Sequence, residues 1–186
     1  MLLIGANKKK QKTALNIYTN MSKIAGIYWD DTAAAPGISL SVYFSGCHFH
    51  CPGCHNPEAW DFNYGEDFTS DKIREILNKL HKNNVERRLS ILGGEPLCEE
   101  NLYDVNQLIT AINFTYPDTI IYLWTGYTYE ELLEREKNEP LLRSILERVD
   151  TLIDGRYEQD KRDTTLPLRG SLNQRIIKLG DMKNDK

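Results

Sequence analysis

A short apolar run that ends at a glycine or a small polar residue occurs three times in this sequence, and helical patterns lie between the runs. The runs lie at Leu89–Leu92, Ile120–Trp124 and Val149–Ile153. They end at Gly93 and Gly94, at Thr125 and Gly126, and at Asp154 and Gly155. Strands that alternate with helices predict a parallel sheet with right-handed connections. Because chemistry gathers at the carboxyl ends of such strands, we expect these segments to share one rim.

The rest of the chain extends this pattern. Further strands are predicted at Ile24–Trp29, Gly37–Phe44 and Arg175–Leu179, the first two as a hairpin or as neighbours. Apolar residues recur at helical spacing after Ser70, the predicted cap of a helix that ends near Asn83 and Asn84. Other helices are predicted at Leu102–Ile112, Tyr129–Glu136 and Leu141–Glu147. The predicted fold class is α/β.

The composition indicates one globular domain. The 186 residues, 40% of them hydrophobic, can bury one sizeable core but are cramped for two. A net charge of -4 and a pI near 5.6 give no global attraction to nucleic acid or to an anionic membrane. No segment approaches the roughly 18 apolar residues of a membrane helix. We expect a cytoplasmic protein with an arm at residues 1–22, a domain at residues 23–180 and a tail at residues 181–186.

Three of the four cysteines lie together after the second predicted strand, in the segment SGCHFHCPGCHNPEAWDF. Three residues separate Cys47 from Cys51, and two separate Cys51 from Cys54. Gly46 and Gly53 permit the tight backbone path of such a loop. Three thiolates can hold three irons of a cubane cluster, whereas most structural clusters take a fourth cysteine. The spacing therefore indicates an iron-sulfur cluster with one open iron that a substrate can reach.

Other uses of this loop stay open at the level of sequence. His48, His50 and His55 lie in the same stretch, and imidazole is a good zinc ligand, so a non-catalytic zinc-binding interaction module is an alternative. Against zinc, no second pair of cysteines or histidines follows downstream. Cys98 is either a fourth thiolate ligand or a buried, inert thiol. A cysteine nucleophile has less support, because no acid-base partner is evident.

These residues resemble the radical S-adenosylmethionine superfamily and, more narrowly, the activating proteins of glycyl-radical enzymes. The shared features are the Gly-Cys entry, the cysteine spacing, and a continuation with Asn56 and Trp60. The GGEP segment, Gly93–Pro96, follows a predicted strand, as similar segments do in that superfamily. The segments WTGYT, DTLIDGRYEQD and RGSLNQR are similar to those of the proteins that activate anaerobic ribonucleoside-triphosphate reductase. The resemblance extends from Ile24 to Lys178.

The resemblance implies a cofactor, a cosubstrate and two partners. A 4Fe-4S cluster on Cys47, Cys51 and Cys54 would bind S-adenosyl-L-methionine at its open iron. Reductive cleavage would give a 5′-deoxyadenosyl radical, which would remove a hydrogen atom from a glycine of the partner. The partner implied is the glycyl-radical subunit of anaerobic ribonucleoside-triphosphate reductase, with a flavodoxin or ferredoxin as electron donor. Activation of another glycyl-radical enzyme, of the pyruvate formate-lyase type, is the alternative within this class.

The resemblance also assigns residues to the cosubstrate site and refines the fold. Gly93, Gly94 and Glu95 would position the methionine part, because glycines expose backbone carbonyls and amides to a ligand. Thr125 and Asp154 would belong to the same pocket. A complete barrel of eight units takes about 250 residues, more than this chain has. The implied fold is an incomplete (partial) β/α barrel of the radical SAM type, with mostly parallel strands and one open side.

Overall fold

Alternating side chains in one central strand divide the molecule into two sides. The computed structural model describes residues 21–180. In it, Leu40, Val42 and Phe44 are fully buried on one face of a sheet. Ser39 and Ser41 alternate with them and therefore face the opposite side. The main core therefore lies on the face with the large apolar side chains. Only a smaller set of side-chain contacts forms on the face with the serines.

The described residues contain seven strands in one sheet. These are β1 (Lys23–Asp31), β2 (Ser39–Phe44), β3 (Glu66–Asp67), β4 (Arg88–Gly93), β5 (Ile121–Trp124), β6 (Thr151–Asp154) and β7 (Arg175–Lys178). Their order across the sheet is β3-β1-β2-β4-β5-β6-β7. Strands β2, β4, β5 and β6 are parallel, and the outer pairs are antiparallel. The predicted α/β class is confirmed, as a mixed, mostly parallel sheet.

Four helices supply the connections that parallel strands require. They are α1 (Ser70–Leu80), α2 (Glu99–Thr115), α3 (Tyr129–Arg135) and α4 (Pro140–Leu146). Helix α2 buries an apolar stripe at helical spacing, formed by Leu102, Val105, Leu108, Ile109 and Ile112. Buried residues of all four helices join the strand residues in one large core cluster. The helices therefore pack on a single face of the sheet.

A smaller apolar cluster lies on the other face. Tyr122 and Ile153 are buried there with Ala35, and Trp124 and Leu168 pack against them. The Trp124 Nε1–H donates to the carbonyl of Leu168 at 2.9 Å. The loops that precede β2 and β7 thus cover part of this face with a few side chains and no helix.

The first helix begins and ends differently from the prediction. Its cap is Thr69, whose Oγ1 accepts a hydrogen bond from the Lys72 N–H at 3.3 Å, and Ser70 is the first helical residue. Either hydroxyl suits a cap, so the sequence could not choose between neighbours. The α-helix ends at Leu80, before Asn83 and its neighbour, both of which have a left-handed backbone.

Other helices and strands also begin or end at residues that differ from the prediction, because of tertiary contacts. Helix α2 is longer than predicted at both ends. The Val149 N–H donates to the Ile145 carbonyl at 3.1 Å, so this residue continues the end of α4 and does not begin β6. Ile120 lies outside β5 and is 43% exposed. Strand β7 pairs antiparallel with β6, because the segment between them contains no crossover helix.

The arm predicted at residues 1–22 and the tail predicted at residues 181–186 lie outside the described residues, apart from Met21 and Ser22. Ser22 is buried, and its N–H donates to Asp104 Oδ2 at 2.7 Å. Among residues 21–180, no helix combines the length and the apolar character needed to cross a membrane.

Replacing Thr69 tests the assignment of the first helix cap. Thr69→Ala removes the acceptor for the Lys72 N–H, so the free energy of unfolding is expected to fall by about 1 kcal/mol. Ser70→Ala is the matched control and is expected to change it by less than about 0.5 kcal/mol. Urea unfolding followed by circular dichroism measures both variants. Equal losses would contradict a cap at Thr69.

Candidate metal centre

The cysteine loop, residues 45–62, follows β2 and closes on itself. The Gly46 and Cys47 N–H groups donate to the carbonyls of Ala59 and Trp60 at 2.8 and 3.1 Å, and the Cys54 N–H donates to the Cys51 carbonyl at 3.0 Å. The glycines predicted to allow this path, at positions 46 and 53, both have positive φ, of 94° and 73°. The three cysteines are thus brought together on one folded loop.

The GGEP turn follows β4 and lies directly against the start of the cysteine loop. The Gly94 N–H donates to the Phe44 carbonyl, and the Glu95 N–H donates to the Gly46 carbonyl, both at 2.7 Å. A Cβ at Gly94 would lie 2.5 Å from the Gly46 carbonyl oxygen and 2.6 Å from that of Ala59. The sequence suggested that these glycines expose backbone to a ligand. In the structure, Gly94 allows two loops to touch.

The Glu95 side chain is directed into the protein. It is 1% exposed, and its carboxylate accepts hydrogen bonds from the Thr125 Oγ1 and from the N–H groups of Leu97 and Gly126, at 2.7–2.8 Å. Burial raises the pKa of Glu95 to about 7, and these donors oppose the shift. Thr125 Oγ1 also accepts from the Tyr127 N–H at 3.1 Å. The Glu95 and Thr125 side chains therefore connect the end of β4 to the end of β5.

Asp154, at the end of β6, connects this third strand end to neighbouring elements through hydrogen bonds of its buried carboxylate. It is fully buried, and its Oδ2 accepts from the Tyr129 N–H at 2.7 Å. The Arg175 guanidinium also donates to this carboxylate, with Nε 3.0 Å from Oδ1, and it pairs with Glu130. Asp154 thereby joins β6, α3 and β7. Sequence reasoning did not single out Arg175 as its partner.

An aromatic contact joins the middle of the cysteine loop to the ends of β5 and β6. The Phe49 ring lies edge-on to Tyr127, with 4.8 Å between centroids, and the Arg156 guanidinium lies 4.4 Å from the same ring. A Cβ at Gly126 would lie 2.5 Å from Phe49. The cysteine loop and the three predicted strand ends therefore share one rim. Phe49 was not predicted, because an aromatic residue between two cysteines carries no pattern of its own.

The histidines of the cysteine loop have other partners. His48 Nε2 lies 3.0 Å from Glu100 Oε1, and its ring packs on Phe62 with 4.7 Å between centroids. His50 packs on Trp60, and the remaining histidine of the loop is exposed. Within residues 21–180, no group of three or more His, Cys, Asp or Glu side chains could hold a single metal ion. The geometry gives no support to a zinc site.

The three thiols nevertheless suit a cubane cluster. In such a cluster each thiolate binds a different iron, so the sulfurs need not converge on one ion. Burial raises the pKa of Cys47 to about 11 and also raises that of Cys51. Thiolates are the ligating form, so binding must release protons. Cys51 and Cys54 are half-buried, whereas Cys47 is buried.

Comparisons with known proteins agree with this chemistry. A family model described as a 4Fe-4S single cluster domain matches residues 33–177. The anaerobic ribonucleoside-triphosphate reductase-activating protein of Pasteurella multocida (strain Pm70) is 37% identical over 152 residues, which cover 81% of this chain and 94% of that protein. The protein of that name from Escherichia coli (strain K12) is 34% identical over 145 residues, 77% and 90% of the two chains. The one from Enterobacteria phage T4 is 33% identical over 150 residues, 81% and 90%.

Gly94→Ala tests the contact between the two loops. The added methyl group would overlap two backbone carbonyl oxygens, so the free energy of unfolding is expected to fall by about 1–3 kcal/mol. Gly26→Ala is the matched control, because its Cβ would meet nothing closer than the Tyr28 ring at 3.8 Å. Urea unfolding of the metal-free proteins measures both. If the two variants unfold alike, the loops are not in van der Waals contact at Gly94.

Glu95 predicts a specific pH dependence of stability. Its pKa is about 7 in the folded protein against an ordinary 4.5, so the unfolded chain loses this proton first as the pH rises. Its contribution to stability is therefore complete below about pH 4.5 and falls until about pH 7, by up to about 3 kcal/mol. Glu95→Gln removes the titration. The difference in unfolding free energy between the native protein and this variant should fall across that range in urea titrations, and a constant difference would contradict the prediction.

Proposed function

Because this chain belongs to the family of anaerobic ribonucleoside-triphosphate reductase-activating proteins, we propose that it generates the glycyl radical of that reductase. The observation that carries the proposal is the direct contact between the three-cysteine loop and the GGEP turn at the ends of β2 and β4. Radical SAM activation requires a cluster and its cosubstrate side by side, and this contact brings together the two segments assigned to them.

The cofactors of this function are a 4Fe-4S cluster and S-adenosyl-L-methionine. Cys47, Cys51 and Cys54 would hold the cluster and leave one iron without a protein thiolate. When bound, the two groups supply the one-electron cleavage that yields a 5′-deoxyadenosyl radical, which removes a hydrogen atom from a glycine of the reductase. The protein itself would hold the cysteine loop and the GGEP turn at a fixed distance from each other and exclude water from the site.

We assign the other rim residues to the cosubstrate site through the backbone that they position. Gly93 allows the end of β4 to lie against β2, and Gly94 allows the GGEP turn to lie on the cysteine loop. Glu95 holds that turn against the end of β5. Thr125 and Asp154 would fix the strand ends that line the pocket, because their own side chains are hydrogen-bonded within the protein. These five residues would shape the site, and direct contacts to the ligand would come from neighbouring backbone groups.

We further propose that residues 23–180 form a partial β/α barrel of the radical SAM type. Four parallel strands support this, as does the packing of all four described helices on one face. The face that carries Tyr122 and Trp124 would then be the inner one. The glycine of the reductase's glycyl-radical subunit would enter on the open side and complete the enclosure.

The remaining assignments concern the source of the electron and the compartment. A flavodoxin or ferredoxin would reduce the cluster, and the reducing cytoplasm would keep the three thiols available as ligands. Activation of a glycyl-radical enzyme of the pyruvate formate-lyase type gains no support, since the relatives compared above carry the name of the reductase-activating protein.

Cysteine variants test the proposed function. After anaerobic reconstitution, the native protein with dithionite and S-adenosylmethionine is expected to produce 5′-deoxyadenosine. Cys51→Ala should lose both the cluster and this product, whereas Cys98→Ala, the matched control, should keep both. Iron and labile sulfide are quantified, and deoxyadenosine is measured by chromatography. A native protein with a fully loaded cluster and no deoxyadenosine would refute the proposal.

The partner is tested separately. The reduced, loaded protein is mixed with anaerobic ribonucleoside-triphosphate reductase and S-adenosylmethionine, and electron paramagnetic resonance should detect a glycyl radical on the reductase. A pyruvate formate-lyase offered under the same conditions should show none. A radical on the lyase alone would reassign the partner while leaving the reaction class intact.

A further inference from the structure

Asn101 lies in the first turn of α2 and is 1% exposed. Its Nδ2 donates to the Ser45 carbonyl at 2.9 Å and to the Glu95 carbonyl at 3.0 Å. One side-chain amide therefore holds the backbone of the cysteine loop and that of the GGEP turn together. No sequence motif pointed to this residue.

The contact completes a continuous set of hydrogen bonds. Phe44, Ser45 and Gly46 are the three consecutive residues that lead to the first cysteine. Their carbonyls accept hydrogen bonds from the Gly94 N–H, the Asn101 Nδ2 and the Glu95 N–H, in that order. Each carbonyl on the path into the loop is thus fixed by a donor from the GGEP turn or from Asn101.

The amide of asparagine suits this position because its nitrogen carries two N–H donors. It can serve two carbonyls at once, which a hydroxyl cannot do. An aspartate of the same shape would place an oxygen against both carbonyl oxygens. Without the amide, the Ser45 carbonyl would lose this donor, whereas the Glu95 carbonyl would keep the Cys98 N–H at 3.3 Å. A buried carbonyl without a donor costs about 1–3 kcal/mol, so removing the amide would allow the cysteine loop to shift against the GGEP turn.

We propose that Asn101 is a positioning residue for S-adenosylmethionine. It fixes the backbone before Cys47 relative to the turn at Gly93–Glu95, and so sets the distance between the segments assigned to the cluster and to the methionine part. This inference rests on the proposed function. Asn101 acts through the backbone of both loops, and a displacement of about 1 Å between reacting groups can cost about a hundredfold in rate.

Asn101→Leu removes both donors and keeps the number and branching of the side-chain heavy atoms. After anaerobic reconstitution it is expected to bind the same iron and sulfide as the native protein, because all three cysteines remain. The dissociation constant for S-adenosylmethionine, measured by equilibrium dialysis, should rise at least tenfold. The matched control is Asn106→Leu on the same helix, which removes a side-chain contact to Arg148 away from the rim. It should bind the cosubstrate as the native protein does.

A purely structural role would lower the melting temperature of both asparagine variants and leave cosubstrate affinity unchanged at full cluster loading. If cluster-loaded Asn101→Leu binds S-adenosylmethionine with the native affinity, the inference is therefore wrong. If this variant does not fold or load, Asn101→Ser, which keeps one donor, is measured. Weaker binding by the loaded serine variant supports the inference, and native binding overturns it. A loaded native protein that binds no S-adenosylmethionine would refute the proposed function, and this inference with it.

Discussion

Two backbone hydrogen bonds, from Gly94 to the Phe44 carbonyl and from Glu95 to the Gly46 carbonyl, set the geometry of the whole rim. They continue the parallel pairing of β2 with β4 beyond its last register pair, Phe44 with Gly93. The cysteine loop and the GGEP turn are therefore hydrogen-bonded to each other directly beyond the end of the sheet. Because Gly94 has no side chain, these loops meet at backbone contact distance. The cysteine loop then begins from a position that is as well determined as a central strand.

Each following strand end is tied to its neighbour by a buried carboxylate. Glu95 joins the end of β4 to the segment after β5, and Asp154 joins the end of β6 to the start of α3 and to Arg175. Burying a carboxylate is costly unless hydrogen bonds compensate, and the raised pKa of Glu95 shows that compensation there is incomplete. In return, these hydrogen bonds fix each strand end of the rim relative to the next. Sites of this kind depend on such supporting contacts for their precision.

The sequence predicted the parts of this structure that depend on local pattern. Short apolar runs with β-branched and aromatic residues predicted the strands, helical spacing of apolar residues predicted the helices, and the cysteine spacing predicted the loop. It could not predict which side chains would meet across strands. The resemblance to the radical SAM superfamily assigns Glu95 and Asp154 to the cosubstrate site, but only the packed structure shows that their carboxylates already accept hydrogen bonds within the protein. Asn101 escaped notice for the same reason, since its two acceptors lie in distant loops.

In the proposed function, Cys98 bears on whether the cluster would keep an open iron, because it is the only cysteine outside the loop. Its thiol is 1% exposed. Burial raises its pKa further than that of Cys47, and the negative charges of Glu95 and Glu100 add to the shift. The thiol form of Cys98 is therefore favoured in the metal-free protein. The carboxylate that holds the GGEP turn in place therefore also opposes ionisation of this thiol. Glu95 thus has two effects at the rim: it supports the turn through hydrogen bonds and, after burial, it contributes most to keeping Cys98 protonated.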